Sequence, residues 1–205
     1  MLAALLHGFV LAFGLILPLG AQNVFVFNQG ASQPNLKKAL PVVLTASLCD
    51  TWLILLAVLG VSVLVLTVPM LKTIIFSVGI LFLLYMGWSI WKSDPANLSQ
   101  KEAAMPIKKQ IMFALSVSLL NPHAILDTIG VIGTSSLSYA GNEKVMFAGA
   151  CIVTSWLWFL GLAIAGKLIG NLDQEGKLLG LINKCSAVMI WGVTVYLIVQ
   201  LIEAI

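Results

Sequence analysis

Six long apolar runs fill almost the whole chain, at about 3–28, 39–66, 70–92, 111–134, 144–168 and 178–203. Roughly 20 helical residues cross about 30 Å of hydrocarbon, so each run is long enough to span a bilayer. The strands of a membrane barrel would be short and alternating, whereas these runs are long and unbroken. Composition agrees, with 60% of the 205 residues hydrophobic and 9% charged. A soluble fold of this size cannot bury that much apolar surface. The connections are too short to hold a soluble domain with its own chemistry. The first run has neither the basic start nor the small-residue cleavage site of a signal peptide, so it is expected to stay as the first span. The expected fold class is an all-α polytopic membrane protein with six transmembrane helices.

The eleven basic residues are all lysines. Lys37, Lys38, Lys92, Lys101, Lys108, Lys109, Lys167, Lys177 and Lys184 fall on one side of a six-span arrangement, and Lys72 and Lys144 on the other. The positive-inside rule then puts the larger group in the cytoplasm and both termini in the periplasm. The net charge of +3 is a topology signal, not a nucleic-acid footprint, and no nucleic-acid partner is expected. Membrane lipid is the partner that the composition requires, and a homo-oligomer is compatible with it. Cys49, Cys151 and Cys185 lie in or near the runs without a Cys-x-x-Cys pair. They read as small buried hydrophobes, not as a metal or disulfide set.

Shifted by about 105 residues, the chain echoes itself. "LPLGAQN" at 17–23 faces "NPHAILD" at 121–127, "CDTWLILLAVLG" at 49–60 faces "TSWLWFLGLAIAG" at 154–166, and "YMGWSIW" at 85–91 faces "IWGVTVY" at 190–196. Three spans is an odd number, so the second triple enters the membrane from the opposite side. The expected organisation is a first three-helix repeat at 1–92, a cytoplasmic connecting loop at 93–110 and a second, inverted repeat at 111–205. Inverted repeats with helices interrupted near the midplane are a common transporter plan.

Pro18 lies midway along the first run and Pro122 midway along the fourth. Each removes a backbone donor and clashes with the preceding turn, leaving carbonyls unpaired. Gly20 loosens the first break further, and Asn121 before Pro122 fits an N-cap followed by proline. The first and fourth helices are therefore expected to be interrupted. Polar residues follow both prolines: Gln22 and Asn23 in one half, His123 and Asp127 in the other. His123 and Asp127 are one turn apart and share a helix face. Asp50 lies near the middle of the second run, where a carboxylate costs about 3 kcal/mol on insertion scales. A partner, a proton, water or a cationic solute must offset that cost. Asn28 and Gln29 fit a helix end running into Gly30. Trp156 and Trp158 lie deeper than an interfacial belt requires. No nucleophile set, metal cluster or phosphate loop emerges, so neither catalysis nor a cofactor is expected.

At these same residues the chain resembles the basic amino acid exporters of the LysE/ArgO family. "PLGAQNVFVFNQG" at 18–30 looks like that family's first-helix motif, "CDTWLI" at 49–54 carries its second-helix aspartate, and "LLNPHAILDTIGVIG" at 119–133 looks like its fourth-helix signature. The chain departs from the pattern at Ala21, where relatives often have proline. The resemblance implies an inner-membrane secondary exporter of L-lysine or L-arginine, driven by an ion gradient. It points to Pro18, Gly20, Gln22, Asn23, Asp50, Asn121, Pro122, His123 and Asp127. On that reading Asp50 meets a substrate cation and Gln22, Asn23 and Asn121 bridge its polar groups. His123 and Asp127 form a proton-coupling pair, and half-helix N-termini suit the substrate carboxylate. The alternative is an exporter of neutral amino acids or other small metabolites, with the carboxylates handling protons only.

Overall fold

The computed structural model describes residues 1–18, 20–60, 69–92, 105–121, 124–125, 127–173 and 176–203. All the regular structure among them is helical. In chain order come α1 (Leu2–Ile16), α2 (Ala21–Ser32), α3 (Leu36–Val58), α4 (Pro69–Lys92) and α5 (Ile107–Leu119). A π-helical segment (Asp127–Gly133) follows, then α6 (Thr134–Ser136), α7 (Gly141–Leu172) and α8 (Lys177–Glu203). Among the described residues, three helices, α3, α7 and α8, are long and apolar enough to cross a membrane, and α1 with α2 make a fourth span if the bent pair is counted as one. The molecule is thus an all-α polytopic membrane protein.

Several boundaries differ from the sequence reading. Helix α3 ends at Val58, ahead of Gly60 in a left-handed turn at φ +88, and residues 61–66 of the expected second run lie outside the described residues. Asp50 lies in the middle third of α3. Helix α7 runs from Gly141 to Leu172, longer than the 144–168 expected. Helix α2 continues to Ser32, so Asn28 and Gln29 do not end it. Asn28 Nδ2 instead donates to Asn183 Oδ1 on α8 at 2.7 Å, and Gln29 Oε1 accepts from Gln33 Nε2 at 3.1 Å. A helix-to-helix amide pair replaces the expected cap.

The packing sorts the helices. Both α1 and α2 lie along α7, while α5 and the π-helical segment lie along α3. Helices α3 and α7 pack together, as do α4 and α8. Small residues let α2 and α7 approach backbone to backbone: Gly30 abuts Ala163, Gly166 abuts the Phe27 carbonyl, and Gly170 abuts Ala31. Close contact through small residues is how membrane helices gain van der Waals packing where lipid supplies no hydrophobic drive.

Two ends of the bundle are distinct. At one, the Met1 ammonium pairs with Glu143 at 2.6 Å and His7 Nδ1 lies 2.8 Å from the Tyr139 hydroxyl. At the other, Lys167 Nζ donates to Gln33 O at 2.9 Å, and Gln33 and Gln110 both donate to Met105 O. Large apolar side chains such as Leu48, Leu55, Leu157, Leu168, Val195 and Val199 stand exposed along α3, α7 and α8. An outside of this kind suits hydrocarbon, not water. Cys49 and Cys151 are buried as expected, whereas Cys185 is exposed on the outer face of α8.

Candidate functional site

The first break is built by Pro18, Gly20 and Asn23. Helix α1 closes with Leu17 N–H on Phe13 O at 3.1 Å, Gly20 N–H turns back to Pro18 O at 2.8 Å, and α2 restarts at Ala21. The two helices are bent by 81°. Bare carbonyls at such a corner would be costly in hydrocarbon. Asn23 Nδ2 meets two of them, donating to Ile16 O at 2.7 Å and to Pro18 O at 2.9 Å. Its Oδ1 accepts from Trp158 Nε1 at 3.2 Å, which ties the corner to α7. Trp158 therefore supports the break.

Asp50 faces the corner from α3. Its Oδ1 accepts from Gln22 Nε2 at 3.2 Å and its Oδ2 from Ser155 Oγ at 2.9 Å. One neutral donor thus comes from α2 and one from α7, and no described cation pairs with the carboxylate. One residue further along, Trp156 Nε1 donates to Thr51 Oγ1 at 3.0 Å. Ser155 was not singled out from sequence. The signal was present, since the internal echo sets Asp50 opposite Ser155.

The second break follows α5. Leu120 N–H bonds to Ser116 O at 2.9 Å, and the carbonyl of Asn121 accepts from Ile125 N–H at 3.2 Å, as an N-cap carbonyl does. The Asn121 side chain makes no cap: its Oδ1 is buried with no hydrogen-bond partner among the described residues. The chain then continues in the π-helical segment from Asp127, a form with one residue more per turn than an α-helix requires and one often found at functional sites. Pro122 and His123 lie outside the described residues, as does the Asp127 side chain, so the expected His123–Asp127 pairing falls there too.

A cavity of about 230 Å³ lies between the breaks. Pro18, Gly20, Gln22, Asn23, Asp50 and Asn121 all line it, joined by Thr128, Ser155 and Phe159. It extends past Ala12 of α1, Ile54 of α3, Ile132 and Cys151, that is, toward the end that carries Met1 and Glu143. Asp50 is the charged side chain among its described lining residues. The space suits a small solute, being smaller than the roughly 300–1,000 Å³ of drug-sized pockets.

Fold and site together define an α-helical membrane protein with a cavity at an interrupted span, apolar over most of its wall and holding one carboxylate among amides and hydroxyls. The family described as "LysE type translocator" matches residues 13–201, and the chain belongs to that family, one of transporters and not of enzymes. The "Putative amino-acid transporter YisU" of Bacillus subtilis (strain 168) is 56% identical over 97% of this chain and 90% of its own length. The "Arginine exporter protein ArgO" of Serratia proteamaculans (strain 568) is 31% identical over 96% of this chain and 97% of its own. The protein of the same name from Pectobacterium carotovorum subsp. carotovorum (strain PC1) is 32% identical over 96% and 97%. No solved structure matches the chain.

Proposed function

We propose that this protein is a secondary exporter of basic amino acids, L-arginine or L-lysine, across the cytoplasmic (inner) membrane. The observation that carries the reading is Asp50: a carboxylate in a small intramembrane cavity, oriented by two neutral donors and facing no described cation. A guanidinium or ammonium supplies the missing charge. The relatives named as arginine exporters support the same cargo. The neutral-amino-acid alternative keeps one point in its favour, because the name of the 56% identical relative specifies no basic substrate.

The halves 1–92 and 111–205, joined by 93–110, act in this reading as inverted three-helix repeats. Three features support it. The pieces of the first span pack on α7, as those of the fourth pack on α3. The pairs α3–α7 and α4–α8 meet across the middle. The Asp50–Ser155 and Thr51–Trp156 hydrogen bonds each join residues 105 apart, the offset of the sequence echo. Such symmetry gives a shared site with a gate on either side. The lysines of the Gln33–Lys167 end face the cytoplasm, so the cavity extends toward the periplasm and the α2–α7 contact closes the cytoplasmic side. His123 and Asp127, placed after the second break, carry the coupling proton in antiport with the amino acid.

The test is efflux of labelled arginine, lysine and leucine from proteoliposomes, with and without a pH gradient. Gradient-stimulated efflux of arginine or lysine, with leucine retained, is the expected result. Efflux of leucine with arginine and lysine retained selects the alternative.

A further inference from the structure

Buried amides line two facing helices. On α2, Gln22, Gln29 and the C-cap residue Gln33 are 9%, 6% and 1% exposed. Their spacing, two turns and then one, puts all three on one side of the helix. On α5, Gln110 and Ser118 are buried on one side, and Asn121 follows the helix end. The two stripes run in opposite directions between the same two places. At one end Gln33 Nε2 and Gln110 Nε2 both donate to Met105 O, at 3.2 and 2.8 Å. At the other, Gln22 and Asn121 both border the cavity. Roughly 16 Å of helix separates the ends on either side. Between them the rings of Phe25 on α2 and Phe113 on α5 meet, with centroids 4.3 Å apart.

Ordinary packing does not call for this. Helix α5 keeps its polar groups inside while Ile111, Met112 and Leu119 stand exposed, the polarity of a helix beside a water path. Nor are those groups content where they are. Four buried side-chain oxygens have no hydrogen-bond partner among the described residues, and three of them, Gln110 Oε1, Ser118 Oγ and Asn121 Oδ1, belong to this stripe. Ser116 on the same helix donates to Met112 O at 2.9 Å, the usual resort of a helical serine, and Ser118 does not. A bare buried oxygen is costly, and a seam that opens to water relieves the cost. The seam also divides two packing units, since α2 lies chiefly along α7 and α5 chiefly along α3. The α2–α7 contact is of another kind, backbone to backbone at Gly30, Gly166 and Gly170.

We infer that the seam between α2 and α5 is the cargo's path from the Gln33–Lys167 end to the cavity, with Phe25 and Phe113 as the gate that shuts it in this structure. When the path opens, α5 leaves α2 in company with α3, and the α2–α7 contact stays closed. The amides and the Ser118 hydroxyl then stand in for water around a small charged solute. The inference rests on the proposed function in taking the protein as a transporter loaded from that end, but not on its cargo being basic.

The experiment uses the full-length protein in proteoliposomes, with Cys49→Ala, Cys151→Ala and Cys185→Ala as background. Single cysteines are introduced as Ala114→Cys in the seam, Ala163→Cys at the α2–α7 contact, and Lys108→Cys at the exposed start of α5 to mark the face that a reagent has reached. The probe is a small, membrane-impermeant trimethylammonium methanethiosulfonate. Ala114→Cys is expected to react from the Lys108 face about tenfold or more faster than Ala163→Cys, because only a seam that opens has an accessible state to populate. In Phe25→Cys/Phe113→Cys, a short bifunctional methanethiosulfonate should bridge the gate and abolish efflux of labelled arginine and lysine, and reduction should restore it. Should the double variant not fold, Phe113→Ala replaces it and is expected to speed labelling of Ala114→Cys. Reaction of Ala163→Cys with Ala114→Cys protected overturns the path, as does labelling of Ala114→Cys from the opposite face alone. A bridged protein that transports as fast as the reduced one, or Phe113→Ala without faster labelling, overturns the gate. Efflux of leucine with arginine and lysine retained, alongside the expected labelling, sinks the basic cargo and keeps the path.

Discussion

At the first break the chain leaves α1 at Leu17 and is α-helical again from Ala21, whereas at the second it leaves α5 at Leu120 and goes on as a π-helical segment from Asp127. The first corner is satisfied, with the carbonyls of Ile16 and Pro18 both on Asn23. At the second, Asn121 Oδ1 has no partner among the described residues. The segments that follow differ in the same sense. Residues 21–27 of α2 are all buried, and an added Cβ on Gly30 would strike the Ala163 backbone. In the π-helical segment Val131 is exposed, and a Cβ on Gly130 would meet nothing within 4 Å. Among the described residues, the first corner is thus tied down by its own side chain, and the segment after the second break is the less tightly packed of the two. A transporter that alternates needs such a difference between its halves at any one moment, since one side must be shut while the other is free to move.

Substitutions at matched positions sharpen or break this comparison. The largest effect is expected from Asn23→Leu, which bares the Ile16 carbonyl and leaves the Pro18 carbonyl with the Gly20 N–H alone. A bare carbonyl costs about 1–3 kcal/mol, so the melting temperature in nanodiscs should fall and transport should be lost. A variant that melts like wild type would show that Asn23 does not hold the corner. Asp50→Asn should come next. It keeps the shape and removes the charge, weakening arginine and lysine binding by about 1.5–3 kcal/mol with little change in melting. Unchanged affinity for both would remove Asp50 from the cation role.

A smaller contrast lies between glycines. Gly166→Ala drives a methyl against the Phe27 carbonyl and should cost about 1–3 kcal/mol of stability. Gly130→Ala adds one to open space and should change stability by less than about 0.5 kcal/mol. Equal losses in thermal denaturation would mean that the two sides are packed alike. The smallest effect is expected from Asn121→Leu, because an acceptor without a protein partner contributes nothing when removed. Its melting temperature should stay level or rise. A marked loss of stability there would show that the second corner relies on Asn121 as the first relies on Asn23.

Much of the site was legible because polarity in hydrocarbon is expensive. Pro18, Gly20, Gln22, Asn23, Asp50 and Asn121 stood out against their apolar surroundings, and the fold arranges all six around one cavity. Ser155 was hidden because a serine in a membrane helix can bond to its own backbone and needs no explanation. Asn28 and Gln29 misled for a related reason. An amide beside a glycine reads as a helix end, yet here Gly30 provides close helix contact, and the amide of Asn28 pairs across to α8.

The sequence by itself determined the solvent, the helical class and the places where a helix is hard to continue, since apolar run length and backbone chemistry are local properties. It did not determine which proline breaks its helix: Pro41 sits inside an unbroken α3, while Pro18, with Gly20 beside it, marks an 81° corner. Near the start of a helix few backbone bonds are lost to a proline. In mid-span the freed carbonyls need new donors, and whether those exist depends on what packs alongside. Only the tertiary structure decided that Asn23 turns back on its own corner and that Asp50 is held from two helices. It also decided that α2 begins uncapped at a cavity. Each of these depends on groups distant in sequence or on the angle between two helices, and hydrophobic patterning records neither.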